Sequence, residues 1–213
     1  MTPIQLHTDQ TPNGHKASIM LEETGLPYEV RVVDIARGDQ RTPAFRALTP
    51  NGKIPVVVDP DRGRTVWESG AILFYLAERA GVLRPAREEE RTAALQWMLF
   101  QAAHVGPTLG QYWNFAVFAE EKWPAVIARF EREAQRVLGV LDGQLARSDH
   151  LAGAEYGLAD VMTWPWINAA VGKLGFALDP HPHLARWFAA VGRRPAVQRG
   201  LLVPAQPARA AAV

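Results

Sequence analysis

Residues 51–76 read NGKIPVVVDPDRGRTVWESGAILFYL, and this stretch decides the fold. Residues 54–58 are a continuous apolar run with Pro55 near its head, residues 59–63 carry Asp, Pro and Gly turn signals, and residues 65–67 supply a short return strand. Ser69 then opens an apolar helix that ends near Gly81. Upstream, Ile4, Leu6 and Thr8 alternate with Gln5 and His7 as in a strand, and residues 9–14 form a turn-rich loop. A helix over 15–24 stops at Gly25, a strand over 28–33 alternates Tyr28, Val30 and Val32 with Glu29 and Arg31, and a short helical piece covers 44–48. The order β-α-β-α-β-β-α implies a mixed sheet with helices packed on it.

Beyond residue 88 the strand signal vanishes. Residues 88–111 place Leu95, Met98, Leu99 and Ala102 at helical spacing, with a bend expected at Pro107. A second long helix begins at Trp123-Pro124 and carries Ile127, Phe130, Ala134, Val137, Leu138 and Leu141 on one stripe; further helices are expected over 158–174, 183–191 and 195–202. The chain therefore divides into an α/β unit over 1–80 and an all-helical unit over 88–203, followed by a Pro- and Ala-rich tail, 204–213, with little to pack.

Composition narrows the chemistry. The 213 residues are 48% hydrophobic and 21% charged, an ordinary globular balance. Lys and Arg total 23 against 22 Asp and Glu, so neither part is a polycation suited to nucleic acid. There is no Cys, which excludes disulfides, thiolate metal sites and a cysteine nucleophile, so thiol chemistry here requires a thiol brought from outside. No G-x-S-x-G, H-E-x-x-H or P-loop is present, and no metal is expected. The N-terminus lacks a basic segment before an apolar one and no apolar run is long enough to span a bilayer, which gives a cytoplasmic expectation.

Three short elements could carry chemistry. Pro55 deletes a ladder donor at the start of an apolar strand and turns the backbone of Ile54 outward, where a peptide could pair with it like an added strand. A plain trans proline at a strand start explains the same dipeptide, since only about 5–6% of X-Pro bonds are cis. Glu68-Ser69 at a helix start offers first-turn N–H groups for a carboxylate and a carboxylate for an ammonium, together an α-amino acid head-group site; in isolation Ser69 reads first as a cap. Thr11 and Asn13 bring a hydroxyl and an amide to the end of the first strand, where ligands collect in open α/β sheets; turn-making and capping account for them equally. Trp164-Pro165-Trp166 reads as packing, and His181 and His183 as solvated imidazoles.

Taken together, T-P-N-G-H-K over 11–16, N-G-K-I-P over 51–55, E-S-G-A-I over 68–72 and G-x-x-x-G-L-A-D-V over 153–161 resemble the cytosolic glutathione transferases over nearly the whole chain. With V-G-P-T-L-G-Q over 105–111, the likeness is to the bacterial Nu class of disulfide-bond oxidoreductases. The resemblance implies the glutathione transferase fold: an α/β thioredoxin-like N-terminal domain that binds glutathione, plus an all-α C-terminal domain. It also implies a homodimer using glutathione as co-substrate, one or two molecules per site, or glutathione disulfide. Thr11 and Asn13 would then approach the glutathione sulfur, Gln40 and Lys53 the glycine carboxylate, Ile54 the cysteinyl backbone, Glu68 and Ser69 the γ-glutamyl head, and Arg129 a second glutathione. The family's hydroxyl cap before Asp160 is Gly157 here, so that capping box keeps half its bonds and Asp160 is structural.

The activity implied is disulfide reduction through a bound glutathione thiolate. Two alternatives use the same site: conjugation of glutathione to small electrophiles, with an acceptor pocket from Trp113, Phe115 and Phe118, and a regulatory module that binds glutathione without turnover.

Overall fold

The computed structural model describes residues 1–85 and 87–205. In chain order the first elements are β1 (Ile4–Thr8), α1 (Pro12–Thr24), β2 (Tyr28–Val32), a 3-10 turn (Asp39–Arg41), α2 (Pro43–Leu48), β3 (Val56–Asp59), β4 (Arg64–Trp67) and α3 (Ser69–Ala80). There follow α4 (Glu88–Phe100), α5 (Gly106–Trp113), α6 (Pro124–Leu145), α7 (Leu158–Gly172), α8 (Pro182–Gly192) and α9 (Pro195–Gly200). The described residues form two compact units, one from residues 1–82 together with 193–205, the other from within 83–192.

In the first unit the sheet order is β2-β1-β3-β4. Leu6 of β1 sits opposite Val30 of parallel β2 and opposite Val57 of antiparallel β3. Alternation along β1 and β3 therefore sends Leu6 and Val57, both fully buried, to one face, and His7 and Val56 to the other. On the latter face the His7 ring meets Phe45 of α2 at 6.4 Å, and Val33, Phe45 and Val56 form a buried cluster against which Leu48 and Ile54 pack. Helix α1 packs against α3. The hairpin turn is tied to α3 by Asp59, which accepts from Tyr75 (2.6 Å), from Arg79 Nε (3.2 Å) and from the Arg62 N–H (3.2 Å).

Three local readings change. Helix α1 begins at Pro12, not near residue 15, because Thr11 caps it and proline suits the first helical position, where an N–H is not needed. Ile54-Pro55 is cis, against the dipeptide expectation, and the β3 ladder starts at Val56, beyond the residue that has no N–H. Residues 193–205, most of them grouped by the sequence pattern with the helical half, pack in the first unit instead. There Ser18 donates to the Gly200 carbonyl (2.7 Å), Arg194 forms a two-pronged pair with Glu23 (2.8 and 3.0 Å), and Gln10 Nε2 donates to the Pro204 carbonyl (2.6 Å). Pro204, the first residue of the expected loose tail, is thus buried and bonded; residues 206–213 of that tail lie outside the described residues.

In the second unit the helix from residue 88 runs through two π-helical turns, Gln101–Val105 and Asn114–Phe118, on either side of α5. The first, closed by the Gly106 N–H on the Gln101 carbonyl, lies directly ahead of Pro107, so a widened turn stands where the bend is expected. Gly106 and Gly110 let α5 approach Trp166 of α7: a Cβ at either would lie 3.4 Å from the indole. Helix α6 buries Ala134, Val137, Leu138, Leu141 and Leu145. Asp160, fully buried, accepts from Leu151 N (3.1 Å), Gly157 N (2.9 Å) and Trp187 Nε1 (2.7 Å), which anchors α7 despite the glycine cap. The described residues contain no helix long and apolar enough to cross a membrane.

Candidate functional site

The C-terminal end of β1 and the start of α1 set the first group of candidates. Thr11 has extended backbone (φ −129°, ψ 160°), and its Oγ1 accepts the Gly14 N–H at 3.0 Å, the geometry of an N-cap. A threonine hydroxyl has one proton and two lone pairs, so a hydroxyl used as a cap acceptor still has its proton to donate. The 13-residue helix has no acidic residue in its first turn, which leaves its positive end for an outside anion. Asn13 lies within that first turn, where N–H groups have no carbonyl one turn back. Gly14 makes this approach possible: a Cβ there would lie 2.2 Å from the Asp9 carbonyl oxygen and 2.5 Å from Thr8 Oγ1.

Next comes the loop before β3. Gln40, on the 3-10 turn, donates through Nε2 to the Ile35 carbonyl (3.3 Å), while its Oε1 is buried without a hydrogen-bond partner. Gly52, at φ 60°, is positioned so that a Cβ would fall 3.2 Å from the Gln40 carbonyl, which brings the Asn51–Lys53 turn against Gln40. Lys53 is exposed beside it, and Ile54 is half-buried on the α2 cluster.

Glu68 and Ser69 form the third group. Glu68 is the residue before α3 and holds φ 69°, ψ 119°, a left-handed conformation uncommon for a non-glycine residue. Its carbonyl accepts from Ile72 N (2.9 Å), closing the first helical turn, and Asn51 Nδ2 contacts its carboxylate at 3.4 Å. Ser69 is therefore the first helical residue and not the cap that the sequence suggests, because the turn closes on the carbonyl one residue earlier. Its hydroxyl is instead met at 3.4 Å by Nζ of Lys16, a lysine only 2% exposed. Burial drives the Lys16 ammonium down to about 7, and the Glu68 charge opposes that fall.

Thr11, Asn13, Gln40, Lys53, Ile54, Glu68 and Ser69 all lie in the first unit, where Lys16–Ser69 ties α1 to α3, Asn51–Glu68 ties the loop over 51–55 to α3, and Gly52 lies against Gln40. Arg129 belongs to the second unit, exposed on α6. Beside it in sequence, Phe130 stacks on Phe115 (5.9 Å, 7°); Trp113 stacks on Phe118 (5.6 Å, 14°), and Lys173 Nζ lies 5.7 Å from the Trp113 ring centre.

Sequence reasoning passed over Lys16 and Gly14. Lys16 had a detectable signal, since it lies four residues before Met20, which puts it on a buried stripe of α1. Gly14 had none, because its role is a non-local approach of backbone to backbone.

Comparison with known proteins identifies the family. Residues 11–79 match the family "Glutathione S-transferase, N-terminal domain" and residues 107–195 match "Glutathione S-transferase, C-terminal domain". The disulfide-bond oxidoreductase YfcG of Escherichia coli is 40% identical over 204 residues, covering 93% of this chain and 94% of that protein. A Burkholderia graminis glutathione transferase crystallised with two glutathione molecules per subunit superposes with a TM-score of 0.92 at 42% identity, covering 96% of this chain and 90% of that one. A Pseudomonas putida glutathione transferase holding one glutathione disulfide per subunit gives a TM-score of 0.89 at 39% identity, covering 95% and 92%. Fold, paired domains and identity over almost the full length agree, and the chain belongs to the glutathione S-transferase family.

Proposed function

We propose that this protein is a glutathione-dependent disulfide-bond oxidoreductase whose nucleophile is the thiolate of bound glutathione. The observation that carries the reading is Thr11 capping α1 with its oxygen, in a chain with no cysteine of its own. The names and ligands of the relatives support it: a disulfide-bond oxidoreductase, and transferases holding two glutathiones or one glutathione disulfide.

The physical task is to keep a thiol ionised. A thiol of pKa about 8.5 is roughly 3% thiolate at pH 7, and a drop of about two units needs roughly 2.7 kcal/mol. A hydrogen bond to a charged group contributes about 1.5–3 kcal/mol and a helix N-terminus about 0.3–1. The Thr11 hydroxyl and the first turn of α1, with Asn13, suffice together. Gln40 and Lys53 take the glycine carboxylate, Ile54 pairs with the cysteinyl backbone, and Glu68 and Ser69 take the γ-glutamyl ammonium and carboxylate.

The thiolate attacks one sulfur of the substrate disulfide. A new S–S bond joins glutathione to that half, the substrate S–S bond breaks, and the other half leaves as a thiolate that takes a proton from water. A second glutathione thiolate then attacks the glutathione sulfur of the mixed disulfide, giving glutathione disulfide and the second substrate thiol. Two glutathiones supply the two electrons. Arg129 holds a carboxylate of the second glutathione.

The protein acts as a cytoplasmic homodimer in this reading. Trp67 and Phe74 on the first unit and Leu95 and Leu99 on the second are exposed apolar side chains suited to a second copy, and sedimentation at twice 23.5 kDa is the test. Conjugation of an electrophile is the second reading, favoured by the stacked Trp113–Phe118 and Phe115–Phe130 pairs. Rates on hydroxyethyl disulfide and on a halogenated nitroarene decide between them: disulfide reduction at least ten times faster supports the first, and the reverse order sinks it. Glutathione binding without turnover of either substrate identifies a regulatory module.

A further inference from the structure

The least expected side chain in the first unit is Lys16. Lysine is almost never fully buried, and this one, 2% exposed on α1, places Nζ 3.4 Å from Ser69 Oγ at the start of α3. The contact is long for a hydrogen bond; Nζ donates and Ser69 Oγ accepts, the one arrangement open to the ammonium form, which has three donors and no acceptor. A Ser69 oxygen that accepts from Lys16 keeps its own proton for another partner, and the first N–H groups of the 12-residue α3 have no carbonyl one turn back. Protonated Lys16, a hydroxyl donor and a positive helix end all favour an anion at one place, and Glu68 supplies the opposite charge one residue away. Such a pairing matches an α-amino acid group, with its carboxylate toward Ser69 and its ammonium toward Glu68.

Resting on the glutathione reading above, we propose that Lys16 is a positioning residue that makes the site specific for the α-carboxylate of the γ-glutamyl group, by holding the Ser69 hydroxyl as an outward donor over a buried positive charge. Lys16 does not itself touch the reacting sulfur. Its effect is confined to recognition of one carboxylate some distance from the chemistry, which a merely structural lysine would not discriminate.

The test compares glutathione with 4-aminobutyryl-cysteinylglycine, which lacks only the glutamyl α-carboxylate, as thiol substrates for reduction of hydroxyethyl disulfide by the full chain. The wild type is expected to prefer glutathione strongly in kcat/KM. In Lys16→Met that preference falls by about 10–100-fold, the loss lying in the KM for glutathione, as for removal of one charge-assisted interaction. Lys16→Gln, which keeps a donor but no charge, gives an intermediate ratio and serves as the second variant should Lys16→Met fold poorly. Equal losses on both thiols in either variant, or an unchanged preference, overturn the proposal while leaving the glutathione reading intact. A wild type that neither turns over nor binds glutathione by calorimetry overturns both.

Discussion

Thr11 Oγ1 accepts the Gly14 N–H at 3.0 Å, so one hydroxyl both terminates α1 and faces whatever stands before that helix. Removing it has two separable consequences. Thr11→Ala loses the cap, worth about 1 kcal/mol of stability, and, on the proposed function, the donor to the glutathione sulfur, which is expected to lower kcat for disulfide reduction by about 10–100-fold at pH 7. Thr11→Ser keeps both. Chemical denaturation alongside steady-state rates separates the effects, and a Thr11→Ala enzyme with wild-type turnover contradicts the assignment.

Gly14→Ala is expected to damage stability and activity together. The added Cβ would sit 2.2 Å from the Asp9 carbonyl oxygen, a backbone atom that cannot swing aside, so the start of α1 must move off β1. Overpacking of this kind costs about 1–3 kcal/mol, seen as a lower urea midpoint at constant slope.

Lys16 is retained at a cost to stability. Its folded pKa, about 7, lies below the ordinary lysine value, so between pH 7 and 10 the unfolded chain binds more protons and stability rises with pH. In Lys16→Met this contribution disappears. The variant is expected to melt at or above the wild-type temperature at pH 7 and to show a flatter rise in stability toward pH 10. A drop of several degrees at pH 7 would instead mark Lys16 as a net structural support.

Gly200→Ala tests the attachment of α9. A Cβ there would lie 2.6–2.7 Å from Ile19 atoms, including its backbone N and Cα, so α9 would have to back away from α1 and strain the Ser18–Gly200 bond. A loss of about 1–3 kcal/mol is expected, with native-state hydrogen exchange accelerating first in residues 195–200.

Much of this was legible from local pattern. Alternation in 4–8 and 28–33, the apolar run at 54–58 and the turn at 59–63 each state their element because period and turn chemistry are local properties. What escaped was set by distant atoms. Ser69 reads as a cap from its type, but the backbone places the cap at Glu68 and Lys16, 53 residues earlier, meets its hydroxyl. The cis bond at Pro55 is not marked in the dipeptide itself, which reads as well for trans. Helix α9 carries no mark of belonging to the first unit beyond Gly200, whose meaning appears only against Ile19.

The central claim is that the Thr11 side of the first unit ionises a bound glutathione. Ultraviolet thiolate absorbance of the glutathione complex, titrated with pH for wild type and Thr11→Ala, measures this directly. The account predicts a bound thiol pKa near or below 7 in the wild type, rising toward about 8.5 in the variant. Identical titrations of the two complexes, or a wild-type value no lower than that of free glutathione, would contradict it.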